Sequence, residues 1–83
     1  MTKIFCDVYK GTKREGLYIY VEREDGLTRV PEELLERFGE ASLALSLVLT
    51  PERALAKEDP VKVIEAIRNN GFYLQFPPHE RTL

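Results

Sequence analysis

Eighty-three residues, 43% apolar and 31% charged, make one small globular domain: there is chain enough for a single core, and the composition lies outside the polar, highly charged regime of disorder. A formal net charge of −2 argues against a general nucleic-acid binder, whose electrostatic footprint is a clear basic excess. One cysteine, Cys6, excludes an internal disulfide and a multi-cysteine zinc site, and the longest apolar run, Leu43 to Leu49 with Ser46 inside it, falls far short of the ~20 residues of a spanning helix.

The chain opens on an alternation, Ile4, Cys6 and Val8 against Phe5, Asp7 and Tyr9, which has the period of two expected of a strand. Asp7 also interrupts the apolar N-terminus, so no signal-peptide core is expected, and the chain is read as cytoplasmic, with no membrane contact and no cofactor. Residues 17–22 repeat the alternation, Leu17, Ile19 and Val21 on one side and Tyr18, Tyr20 and Glu22 on the other. The six polar residues between these strands are bracketed by Gly11 and Gly16, which predicts an antiparallel hairpin.

After a turn at Glu24-Asp25-Gly26, Pro31 is placed as the first residue of a helix in which Glu32 and Glu33 favour the positive end of the dipole. Leu34, Leu35 and Phe38 form its apolar stripe, Leu34 anchors it in the core, and Gly39 ends it. The run Leu43 to Leu49 is apolar in both phases and predicts a central strand covered on two sides. Thr50-Pro51-Glu52 suggests a short helical turn from Pro51 to Ala56, and Asp59-Pro60 starts a longer helix to about Asn69, with Val63, Ile64 and Ile67 inward and Gly71 as its stop. Phe72 to Phe76 alternates as a last strand ended by Pro77-Pro78. The expected class is therefore α+β, a four-stranded sheet in the order ββαβαβ, with one domain over residues 1–78 and a frayed tail at 79–83. Were the third and fourth strands parallel neighbours, the crossover between them would be right-handed; sequence leaves the strand order open.

Certain residues occur in a telling combination: Phe5-Cys6 with Tyr9-Lys10, Lys13-Arg14, Tyr18 to Glu22, Arg29 to Leu34 with Phe38-Gly39, and Gly71 to Pro78. In that order they resemble the YcgL family of small bacterial proteins, over nearly the whole chain from Phe5 to Pro78, departing mainly between Glu40 and Ala66 and in a shorter C-terminal tail. The resemblance implies an α/β/α sandwich with helices on both faces of the sheet. It implies no activity, because the family has no assigned function and no agreed catalytic residues.

Candidate chemistry is sparse. Cys6 shares the apolar phase of Ile4 and Val8 and is read as a buried structural thiol, with no histidine near it to act as base. The sole histidine, His79, lies beyond two prolines and is read as solvated. The carboxylates of Glu22, Glu24, Asp25, Glu32 and Glu33 stand at a strand end and in a helix first turn, where solvation and the dipole explain them. Lys10-Gly11-Thr12-Lys13 lacks P-loop spacing and sits in a hairpin. The remaining constellation is aromatic and basic: Lys10, Lys13 and Arg14 at the turn, with Tyr18, Tyr20 and Tyr73 on adjacent strands and Arg23 at the far end of the hairpin. Stacking rings beside cations suit single-stranded RNA; rings packed between helices and sheet explain the same residues without a ligand. A non-enzymatic binding or regulatory module with a protein partner ranks first, single-stranded RNA binding second, and an enzyme with an unrecognised site third.

Overall fold

A computed structural model of the chain describes residues 3–53, 55 and 58–77. Its elements are β1 (Ile4–Gly11), β2 (Tyr18–Glu22), α1 (Glu32–Phe38), β3 (Ala41–Leu49), α2 (Pro60–Asn70) and β4 (Tyr73–Gln75). The strands form one antiparallel sheet with spatial order β3-β1-β2-β4. The expected hairpin is present, with Cys6 opposite Glu22 and Lys10 opposite Tyr18.

Strand alternation sorts the core into two clusters, because successive side chains leave opposite faces of a sheet. Ile4, Cys6, Val8 and Tyr20 pack with Leu47 and Leu49 of β3 and with Val63, Ile64 and Ile67 of α2. Ile19 and Val21 pack with Leu17, Val30 and Phe38, and Tyr9, Leu34, Leu35, Phe72 and Leu74 lean on that group.

The α2 helix forms where its signals stand. The Asp59 side chain accepts a 3.0 Å hydrogen bond from the Val61 N–H, Pro60 opens the first turn, and Gly71 closes the helix in the left-handed region at φ 93. In α1, Pro31 precedes the helix instead of opening it: its ψ of 142 is extended, and its carbonyl accepts from the Leu34 and Leu35 N–H groups. Phe38 anchors this helix, fully buried, whereas Leu34 is only partly buried. Phe38 reaches the core because Gly11 lies directly against its ring and carbonyl, where a Cβ would overlap both. Seven residues are too few for a stable isolated helix, so this packing is what holds α1.

Residues 51–53 form a turn, with the Arg53 N–H donating to the Thr50 carbonyl at 3.1 Å. The rest of the helical turn expected up to Ala56 is not fully described, since Ala54 and Ala56 lie outside the described residues, as do His79 and the tail at 79–83.

β3 departs most from expectation. It is an edge strand with β1 as its neighbour in the sheet, not a central one, and β4 forms the opposite edge, so no parallel crossover joins the two. Leu43 and Leu45 are each 54% exposed and Val48 36%. An apolar run records the absence of charge, not the presence of neighbours on both sides, and periodicity cannot separate the two. The buried leucines of β3 are Leu47 and Leu49, where α2 lies over the sheet; the N-terminal half of the strand extends past that cover.

Candidate functional site

Three surfaces gather the chemistry-bearing residues. The first is the β1–β2 turn, where Lys10, Thr12, Arg14, Glu15 and Tyr18 line an open notch of about 430 Å³. Lys13 is turned elsewhere: its ammonium donates to the Glu36 carbonyl at 3.2 Å, and its N–H donates to the Phe38 carbonyl. A cation at the C-terminus of α1 satisfies carbonyls that the helix leaves without partners and complements the dipole. The Thr12 hydroxyl accepts from the Glu40 N–H at 2.9 Å, so the basic turn is strapped to the end of α1.

Behind the notch, Tyr20 and Tyr73 meet edge to face, with ring centroids 5.9 Å apart at 86°. The Tyr20 hydroxyl donates to Oε1 of Gln75 at 2.6 Å, and the Tyr73 hydroxyl donates to the Glu58 carboxylate. Tyr20 is 8% exposed; burial, with Glu58 and Cys6 nearby, pushes its hydroxyl above the ordinary tyrosine range. Of the six residues singled out in the sequence, Lys10, Arg14 and Tyr18 thus share one notch. Lys13 reaches from the turn to the C-terminal end of α1, and Tyr20 and Tyr73 belong to the packed, hydrogen-bonded layer under α2.

The second surface is a polar cluster that sequence reasoning missed. Asp7 is buried on β1 and accepts from Nε of Arg23 at 3.2 Å and from the Ser46 hydroxyl at 2.7 Å. Register explains the meeting, since Asp7 faces Ser46 directly across the β1–β3 ladder. The signals were the lone charge within the β1 alternation and the lone hydroxyl within the apolar run, but pairing them required the β3–β1 adjacency. Beside this cluster Phe5, Glu22, Arg23 and Glu24 line a second open pocket of about 430 Å³, and Lys3 lies over the Phe5 ring at 5.7 Å.

The third surface is the outer edge of β3. Phe5 lies opposite Val48, and its carbonyl accepts from the Arg23 N–H on the β2 side. In an antiparallel ladder both polar groups of a residue point the same way, so those of Phe5 face β2 and those of Val48 face outward. Arg53 confirms the direction by donating from Nη1 to the Val48 carbonyl at 3.3 Å. The period of two gives Ser46 the same outward orientation. Leu45, opposite Val8, projects on the α2 side, while Leu43, opposite Tyr9, projects on the α1 side after a register shift.

Cys6 offers no nucleophile. It is fully buried, its thiol donates to the Asp7 carbonyl at 3.8 Å, and burial together with the Asp7 charge pushes its pKa up to about 12 against a smaller opposing effect of the Val21 backbone. Among the described residues, no three metal-ligating side chains come together and no helix is long and apolar enough to cross a membrane.

These features define a small α+β domain, one four-stranded antiparallel sheet with two helices. The chain belongs to the YcgL family: the YcgL domain model matches residues 6–78. A YcgL domain-containing protein of Cellvibrio japonicus (strain Ueda107) is 51% identical over 78 residues, covering 94% of this chain and 80% of that protein. The corresponding protein of Stutzerimonas stutzeri (strain A1501) is similar to the same extent, and that of Pseudomonas fluorescens (strain SBW25) is 47% identical over 78 residues. The names of these relatives state a domain and no activity.

Proposed function

We propose that this YcgL protein is a non-enzymatic binding module of the cytoplasm, a single domain over residues 1–78, which works through the outer edge of β3. One observation carries the reading: a nine-residue edge strand without a charge, Ala41–Leu49, exposes Leu43, Leu45 and Val48. Edge strands are ordinarily short, charged or covered, because their open backbone recruits other strands. The ligand chemistry that fits is an extended, uncharged protein segment added to the sheet, with main-chain bonds giving affinity and apolar side chains meeting Leu43 and Leu45. The split of the core into one cluster with α1 and one with α2 supports the α/β/α sandwich that the family resemblance implies, a rigid frame for such an edge.

A photo-crosslinking side chain placed at Leu45 tests the reading in cells, with Val61 on α2, itself exposed, as the control position. Protein adducts at the first site and not the second are expected. Equal adducts at both, or none at either, would refute it.

A second reading rests on the notch. Lys10 and Arg14 flank Tyr18 there, with Lys13 on the adjoining turn and Tyr20 and Tyr73 behind, an arrangement that could hold single-stranded RNA by one stacked base and neighbouring phosphates. Glu15 in the same notch and the net charge of −2 oppose it. If RNA binds, replacing Lys10, Lys13 and Arg14 with alanine flattens the dependence of affinity on salt, by up to ~0.7 in log–log slope for each phosphate that is no longer neutralised. An unchanged slope removes these residues from the RNA interface, and no RNA binding by the parent protein removes the reading.

A further inference from the structure

Resting on the binding-module reading, we infer that the occupant of the β3 edge is a second copy of this chain, joined through antiparallel β3–β3 pairing about a two-fold axis near Leu45. The edge is suited to its own image. Residues 41–49 carry no charge, so two copies meet without the like-charge opposition that blocks self-pairing at most edges. Antiparallel pairing of one strand with itself is isologous: about such an axis the outward groups of Ser46 and Val48 on one copy lie opposite those of Leu43 and Ala41 on the other, which the register shift turns outward, and the contact closes at two chains.

The exposed side chains agree with that geometry. Leu45 projects on the α2 side and Leu43 on the α1 side, and both are half in water, so a strand laid alongside covers apolar surface on each face of the extended sheet. A nine-residue strand is about 30 Å long at ~3.4 Å per residue. Its exposed leucines, one on each face, extend the contact beyond the backbone ladder. At a net charge of −2 per chain, long-range repulsion between copies is weak. Arg53 occupies one outward carbonyl, that of Val48, from an exposed position, and withdraws when the partner strand takes its place. The product is an eight-stranded sheet continuous across the two chains.

Sedimentation equilibrium of the purified protein over a range from low to high micromolar concentration gives the test. The unmodified chain should pass from one-chain to two-chain mass, and Leu45→Lys should weaken association by at least about tenfold while its circular dichroism remains that of the parent. Val61→Lys, a charge at another exposed apolar position, on α2, should leave the mass curve unchanged. If Leu45→Lys does not fold, Leu43→Lys carries the same test from the other face. One-chain mass at every concentration, or a dimer indifferent to both leucine substitutions, overturns the inference. Foreign-chain adducts at position 45 alongside one-chain mass would overturn self-pairing while leaving the binding-module reading standing; no adducts and one-chain mass would overturn both.

Discussion

The two edges of the sheet are built on opposite plans. β4 is three residues long, its tyrosine and glutamine are tied by hydroxyl hydrogen bonds, and prolines follow it closely. Proline cannot donate to a ladder, and so short a strand offers little to a passing chain. β3 is nine residues long and free of charge, and among the described residues Arg53 reaches its open side at the Val48 carbonyl. One edge is closed by its own sequence, whereas the other leaves Leu43 and Leu45 half in water.

The contrast is sharpest within β3 itself. Leu49 and Leu45 project from the same face, yet Leu49 is fully buried and Leu45 is not. Leu49→Ala is expected to destabilise the fold by about 2 to 5 kcal/mol, and Leu45→Ala by no more than about 0.5 kcal/mol, both read from urea midpoints of the monomer. Similar losses at the two positions would mean that Leu45 belongs to the core and the open edge is misjudged.

Alkali probes the dry layer under that edge, since Cys6 pairs with Leu47. The folded thiol titrates near 12 against an ordinary 9.0, so the fold favours its protonated form. That contribution is complete below the unfolded pKa and is lost as pH rises from 9.0 towards 12. Tyr20, also raised, adds loss in the same direction. Urea midpoints should therefore fall steeply above pH 9.0 in the parent and less steeply in Cys6→Ala, and native Cys6 should react slowly with a water-soluble thiol reagent. Fast labelling without unfolding would contradict the burial.

Asp7 fixes β3 to β1 from the α1 side through Ser46, with Arg23 as its counter-ion. Asp7→Ala removes the charged acceptor of two hydrogen bonds, from Arg23 and from Ser46, and should destabilise by about 1 to 3 kcal/mol, seen as a lower thermal midpoint. The matching tie at the closed edge is weaker: Tyr20→Phe removes one hydrogen bond to Gln75 and should lower stability by about 0.5 to 1.5 kcal/mol. A larger loss at Tyr20 than at Asp7 would reverse the ranking of the two edges.

What the sequence displayed were local signals. The hairpin was legible from two alternating runs between glycines, and α2 from Asp59-Pro60 and Gly71, because turn chemistry and capping are set by neighbours in the chain. What it hid was adjacency. β3 reads as a central strand because its apolar run has no polar phase, and Leu34 reads as the core anchor where Phe38 proves deeper, since only the close approach of Gly11 shows which side of α1 descends. The Asp7–Ser46 bond spans 39 residues and depends on strand order, which no periodicity encodes. Of the aromatic and basic residues, shared strand faces were legible, but the capture of Lys13 by the Glu36 carbonyl depended on how α1 docks.

The open edge is tested most directly by amide hydrogen exchange along β3 at increasing protein concentration. The N–H groups of Leu47 and Leu49 face β1 and should be protected throughout, whereas those of Ser46 and Val48 face outward and should exchange quickly in dilute protein and progressively more slowly as concentration rises. Ser46 and Val48 amides that exchange at one rate across the whole range would contradict a β3 edge that pairs with a second copy.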